Sequence, residues 1–317
     1  MQTALRPAAD ACFDTAERPA SPRALALANA ALQEHAAWGS QALDAHGRMT
    51  ESGSSEAEDT PRTQGLAPWE RVMRYWQAVD PATHRLPWSV RYGALRPADR
   101  TLLKSRIDQA SSARLQGMGV GPDQGLPSDA AAALAVAVDR VAAVDTPWSA
   151  AFISWLARQA GLTDGEFAFS EAHADYAAAG WSATRRERAG LPVSDAMRAC
   201  DLATTPPRVG DLVCQARGAA GDALDSFGAL VEALSERGTD GGALPMHCDA
   251  VVSIDATGFD AVGGNVLQSV TRRRLDFAPG TRRLDASYLS NGCVPGTPDC
   301  PDRHMSRQPW SLLLQWR

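Results

Sequence analysis

The spacing of apolar residues changes once along this chain, and that change limits the fold more than any other feature. Up to about Ala179 the apolar residues recur at helical intervals. Trp69, Val72, Met73 and Trp76 share one face of Pro68–Ala78, as a helix lying on a core requires. Past Arg208 the runs become short and β-branched. Met246–Ile254 and Ala261–Val270 read as strands divided by Asp255-Ala-Thr-Gly258, Arg208–Cys214 as a turn entering a strand, and Trp310–Trp316 as a last strand. Helices followed by strands predict an α+β fold rather than alternating β-α-β units.

The helical half divides further. Pro22–His46 is rich in Ala and Leu and reads as a helix. Gly47–Gly65, centred on Glu-Ser-Gly-Ser-Ser-Glu-Ala-Glu-Asp-Thr-Pro, is polar, acidic and turn-rich, so it reads as a flexible linker. Residues 1–65 are therefore expected to be an N-terminal helical extension with its linker, and residues 66–317 the main domain. Asp80–Arg100 reads as a packed loop, and Ser128-Asp129 as the cap of a helix reaching about Val144. Asp145-Thr146-Pro147 predicts a helix start, with Asp145 or Thr146 as cap and Pro147 at the first position. That helix carries Trp148 and Ser149 and stops at Gly161. Ser170–Ala179 reads as a third helix, bearing His173 and Tyr176.

Composition excludes several classes. A net charge of −6 argues against a nucleic-acid binder, which needs a basic face to displace counterions. No apolar run approaches the roughly 18–20 residues that span a bilayer; Ala130–Val144 is broken by Asp139 and Arg140. Met1–Thr15 lacks the charged-then-apolar layout of a secretory signal. The expectation is a soluble chain, either cytoplasmic or exported by a specialised secretion system. None of the 6 cysteines is spaced as a zinc ligand. Cys293 and Cys300 bracket a Pro/Gly loop that a disulfide would close; otherwise they are free thiols. Cys214 and Cys248 read as core. Gly117-Met-Gly-Val-Gly121 lacks the flanking strand and helix of a dinucleotide site. Neither His247 with Asp249 nor His173 with Asp175 has a metal-ligand spacing. No cofactor and no metal are expected.

Acyl transfer needs a nucleophile, a histidine to take its proton and a polar group to orient that histidine. A helix N-terminus favours the negative charge that develops. Ser149 lies in a first helical turn, His247 opens a strand, and Asn265 follows Gly263-Gly264 at the start of the next strand. These three are the catalytic candidates. Asp249 shares the strand face of His247 and is the substitute acidic partner. His173 and Tyr176 share a helix face and are read, with Trp148, as walls of the substrate cleft. Each residue has a plainer role too: Ser149 as a small helix-start residue, His247 as a satisfied core histidine, Asn265 as a turn residue. Asp211 reads as a turn cap. Arg272–Arg274 with Arg282-Arg283 read as a solvated face or a holder of anionic substrate.

Pro147-Trp-Ser-Ala-Ala-Phe-Ile-Ser-Trp155 with Ala160-Gly161 resembles the nucleophile helix of NlpC/P60 and CHAP proteins, where the pattern is Trp-Cys-Ala-x-Phe-Val. Arg208-Val-Gly-Asp-Leu-Val213, His247-Cys-Asp-Ala-Val-Val252 and Gly263-Gly-Asn-Val266 resemble, in order, that group's Pro-Gly-Asp strand entry, its histidine strand and its Gly-Asn strand. The Trp-Ser-Ala helix followed by His173-Ala-Asp-Tyr176 resembles the bacterial DUF2272 family. The resemblance implies a papain-like fold with helices packed on a small antiparallel sheet. It also implies hydrolysis of amide bonds in bacterial cell-wall peptide, as by a peptidoglycan amidase or endopeptidase. Serine stands at 149 where the larger group has cysteine. It is either a working nucleophile, the mark of a fold that now only binds a ligand, or an inactivating replacement of cysteine. The alternatives to an amidase are a non-catalytic binding module and an ester hydrolase or acyltransferase. A toxin-like effector would use residues 1–65 to meet a secretion machine or an inhibitor.

Overall fold

The computed structural model describes residues 8–57, 59, 65–81, 143–218, 221, 223–237, 244–288 and 305–317, with Gln109, Gly117 and Arg140 singly between them. The readings made for Asp80–Arg100, Ser128–Val144, Gly117–Gly121 and the Cys293–Cys300 loop lie largely or wholly outside these residues. In chain order the described helices are α1 (Ala8–Ala16), α2 (Pro22–Ala37), α3 (Pro68–Val79), α4 (Ser149–Gln159), α5 (His173–Arg188) and α6 (Phe227–Glu236). The strands are β1 (Ala42–Leu43), β2 (Met49–Glu51), β3 (Met197–Asp201), β4 (Leu212–Ala216), β5 (Met246–Ile254), β6 (Gly258–Val266), β7 (Ser269–Asp276) and β8 (Leu312–Trp316). They form one mixed sheet in the order β2-β1-β7-β6-β5-β4-β8-β3. The β1–β7 pair is parallel and the others are antiparallel. The α+β class follows. Among the described residues no helix is long and apolar enough to cross a membrane.

Alternation along the strands gives the sheet two apolar faces. On one, Cys248, Ala250, Val262 and Leu314 meet Leu27 of α2, Trp76 of α3 and Phe152, Ile153 and Leu156 of α4. On the other, Val213, Val251, Phe259, Leu275 and Leu313 pack with Trp310 and Cys12. α4 contacts α2, α3, β5 and β6, while α5 contacts α6, β3 and β5. Among the described residues every cysteine is paired. Cys12–Cys200 ties α1 to β3, and Cys214–Cys248 joins residues directly opposite on β4 and β5. Asp211 caps its turn as read: its carboxylate accepts the N–H of Arg208 at 2.8 Å and that of Trp316 at 2.9 Å.

Three departures from the sequence reading have physical causes. First, α2 stops at Ala37, where Gly39 and Ser40 turn the chain with φ of 89° and 64°. The stretch read as a linker then supplies β2. Ala57 is fully buried and donates its N–H to Gln268 O at 2.9 Å. The polar side chains there describe its outer side, while its backbone is bound to the sheet. Second, α5 runs past Ala179 through Gly180, a residue that weakens a helix on propensity alone. A Cβ at Gly180 would lie 2.6 Å from Leu314 Cδ2, so the glycine permits the helix to approach the sheet.

Third, Ala261–Val270 is two strands. Val266 pairs with Ser269 around Leu267 and Gln268, whose φ values of 53° and 56° lie in the left-handed region. Tight hairpins favour that conformation, usually with Asn-Gly; here no turn residue announces it. The double substitution Leu267→Asn, Gln268→Gly is expected to raise stability by about 1–2 kcal/mol, read as a higher urea midpoint. An unchanged or lower midpoint would show that the turn carries no strain.

Candidate active site

α4 starts at Ser149, with Trp148 as its N-cap residue and no side-chain cap. The helix thus begins two residues later than Asp145-Thr146-Pro147 suggests, and the hydroxyl of Thr146 has no hydrogen-bond partner among the described residues. Ser149 is left in the first turn, where free N–H groups and the helix dipole concentrate positive potential. It is 3% exposed.

A pair of serines brings the next helix to it. Ser154 of α4 donates its hydroxyl to Ser170 O at 2.8 Å and accepts the Ser170 N–H at 3.0 Å. This holds the start of α5 against α4, and His173 is the first residue of α5. The Ser149 Oγ and His173 Nε2 atoms are 2.7 Å apart. The other ring nitrogen, Nδ1, bonds Tyr176 OH one turn later. Tyr176 is itself fixed by stacking on Phe167, centroids 5.2 Å apart. When Nδ1–H donates to Tyr176, Nε2 is left to accept the serine proton. The proton affinity of His173 lies well below the usual imidazole value, because of burial first and then the neighbouring His247 and Arg217. Burial raises the Tyr176 phenol well above its ordinary value, with Asp175 and Asp249 adding to it. Both groups are neutral near pH 7.

A second cluster adjoins this pair. The rings of His173 and His247 are 5.3 Å apart, and that of Trp310 lies 6.5 Å from His247. His247 Nε2 is 2.8 Å from Asp249 Oδ1 and 2.8 Å from Arg273 Nη2. As an N–H it donates to Asp249; as a bare nitrogen it accepts from Arg273. Arg273 Nε also pairs with Asp249 Oδ2 at 2.8 Å. Its Nη1 donates to Met305 O at 2.6 Å, and its guanidinium lies over Trp310, 5.2 Å from the centroid. Burial lowers the His247 pKa against the opposing pull of Asp249. Burial raises that of Asp249, but Arg273 and His247 outweigh it, so the net shift is downward and the carboxylate stays charged.

Gly263 and Gly264 make this geometry possible. Arg273 sits on β7 and reaches β5 across β6. A Cβ on Gly263 would lie 1.9 Å from Asp249 Oδ1 and 3.1 Å from His247 Nε2. A Cβ on Gly264 would lie 2.6 Å from Phe152 Cβ, on the α4 side. One glycine clears the path of the ion pair and the other admits α4.

The seven candidates from the sequence thus separate. Ser149, His173, Tyr176, His247 and Asp249 converge. The imidazole bonded to Ser149 is His173, read as a cleft wall, whereas the sequence paired the serine with His247. Asn265 is partly buried with φ 55°, at the irregularity between β6 and β7. Among the described residues, Asp249 and Arg273 are the side chains on His247 Nε2. Trp148 is fully buried, stacked on Trp38 at 5.3 Å and tilted against Tyr75 at 5.7 Å, so it packs. The sequence reads Arg273 within a cluster that is either a solvated face or a holder of anionic substrate. Its neighbour Arg274 fits the first of these, paired with Asp255 at 2.7 Å. Arg273 is an inward position between Thr271 and Leu275, and two-residue periodicity along β7 was the signal that marked it. No group of three or more His, Cys, Asp or Glu among the described residues is placed to hold a metal ion.

A family model described as "Uncharacterized protein conserved in bacteria (DUF2272)" matches residues 63–315. No curated protein and no solved structure matches the chain. The matched stretch holds Ser149, His173, Tyr176, His247, Asp249 and Arg273 together, and it is well over half of the chain: the protein belongs to the DUF2272 family.

Proposed function

We propose that this protein is an acyl-transfer hydrolase of the papain-like NlpC/P60 kind. Ser149 is its nucleophile, His173 its base, and an amide bond of bacterial cell-wall peptide its substrate. The observation that carries the reading is the 2.7 Å contact between Ser149 Oγ and His173 Nε2 at a helix start. Nucleophile and base are within hydrogen-bond reach, and the base is held by a third group, Tyr176. His173 takes the hydroxyl proton as Oγ attacks the carbonyl. N–H groups of the first turn of α4 face the oxyanion. The protonated His173 then passes its proton to the leaving amine, and water frees the acyl group by the reverse route. A nucleophile on a helix and a second histidine on a strand support the papain-like assignment. The substrate class rests on the motif resemblance. The two disulfides favour the exported alternative over the cytoplasmic one, since such bonds persist where thiols are oxidised.

A small alkyl fluorophosphonate tests the reading. One adduct is expected, on Ser149, and none in Ser149→Ala. Because the proton affinity of His173 is depressed, the base form outlasts an ordinary imidazole as acid is added. The labelling rate should hold from pH 8 down to about 6.5 and reach half its maximum below that. Folded protein without an adduct at Ser149 would leave the non-catalytic module standing. A half-maximum above pH 6.5 would remove His173 as the base.

A further inference from the structure

Beside the two histidines the sheet carries polar side chains that neither the fold nor the proposed chemistry uses. Gln215 of β4 is the direct cross-strand partner of His247, so the two side chains stand on one face. β8 continues the row. Leu312 pairs with Cys214, and the next residue outward, Ser311, donates its N–H to Cys214 O at 3.1 Å. Strand alternation puts Gln215 on the face of Val213 and Ser311 on that of Leu313, the face that also holds Asp249 and Val251. Ser311, Gln215 and His247 thus run side by side across β8, β4 and β5.

Gln215 is 4% exposed and Ser311 2%, and among the described residues neither Gln215 Oε1 nor Ser311 Oγ has a hydrogen-bond partner. Buried oxygens are almost always bonded, and an exception calls for a cause. Among the described residues neither side chain caps a helix or pairs with a charged group. Gln215 stands directly beside His247, whose ring is 5.3 Å from that of His173, and Ser311 follows one strand further out.

We infer that Gln215 and Ser311 form a subsite for a peptide group of the substrate, with Gln215 Oε1 accepting an amide N–H. The inference rests on the reading of Ser149 and His173 as the reacting pair, and it names what that pair selects. An ester oxygen in place of the N–H offers no donor and leaves the carboxamide oxygen unpaired, so the subsite prefers amides. Such discrimination is steep where a site is built around a hydrogen bond.

The test measures binding without turnover. Ser149→Ala protein is titrated calorimetrically with a synthetic peptidoglycan stem peptide, then with analogues in which each amide N–H in turn is replaced by an ester oxygen. One replacement is expected to weaken binding at least about tenfold. That difference should vanish when Gln215→Met is added, while Ser311→Ala should weaken the parent peptide a few-fold. Equal affinity for the parent and every analogue, absence of peptide binding, or discrimination that survives Gln215→Met overturns the inference. The analogue series needs only the unsubstituted Gln215, so it decides even if Gln215→Met does not fold. If wild type cleaves nothing while the single-position loss is seen, the subsite stands and the catalytic reading falls.

Discussion

Substituting His173 by glutamine is expected to reduce turnover of a stem peptide by about 10³–10⁴-fold, against a distinctly smaller loss for His247→Gln. The first change removes the nitrogen 2.7 Å from Ser149 Oγ, and with it proton transfer at both ends of the reaction, the upper range for a general base. The second leaves that contact in place. It removes the ring between Asp249, Arg273 and His173 and alters the field around the base. On the proposed mechanism the serine and His173 act on the reacting bond, so KM should change little for His173→Gln. Kinetics of the two variants, with Ser149→Ala as the floor, separate the pairing seen here from the one that sequence order suggests. If His247→Gln is the more damaging, Ser149 works with the strand histidine, and the contact to His173 is a resting arrangement.

Opening the disulfides should produce the largest loss of stability. Cys12–Cys200 closes a separation of 188 residues and Cys214–Cys248 one of 34. Loop-closure entropy assigns these about 5 and 4 kcal/mol respectively, if the effect acts through the unfolded chain. The two loops follow one another along the chain without overlapping, so to a first approximation the two effects add. Urea unfolding with and without reductant, beside Cys12→Ala/Cys200→Ala and Cys214→Ala/Cys248→Ala, should show midpoints falling in every reduced or substituted form. A reduced protein as stable as the oxidised one would contradict this. The second pair has a further effect, because it clamps β4 to β5 between Gln215–His247 and Val213–Asp249. Its loss should therefore lower activity before it unfolds the molecule.

The parts of this structure that were legible in the sequence are those set by local pattern. Met246–Ile254 is a run of β-branched and small residues bounded by turns, and it is a strand over those residues. Trp148–Gly161 shows its helix through its apolar face. The site was legible as a set of residues and not as a set of pairs. Which imidazole meets Ser149 depends on the Ser154–Ser170 hydrogen bonds that fix the angle between two helices, and serines at those positions carry no sequence signal. Arg273 was hidden because three consecutive arginines look alike until the strand's alternation assigns their faces. Leu267–Gln268 was hidden because the hairpin adopts left-handed backbone without the residues that favour it.

The aromatic stack at the start of α4 crosses the edge of the family match. Trp148 belongs to the matched stretch, but the ring it lies on, Trp38, comes from the segment before residue 63. Without Trp38, the N-cap residue of α4 would keep only Tyr75, inside the matched stretch, as its ring partner among the described residues. The segment before residue 63 and the matched stretch thus share one aromatic support, and that support stands one residue ahead of the candidate hydroxyl.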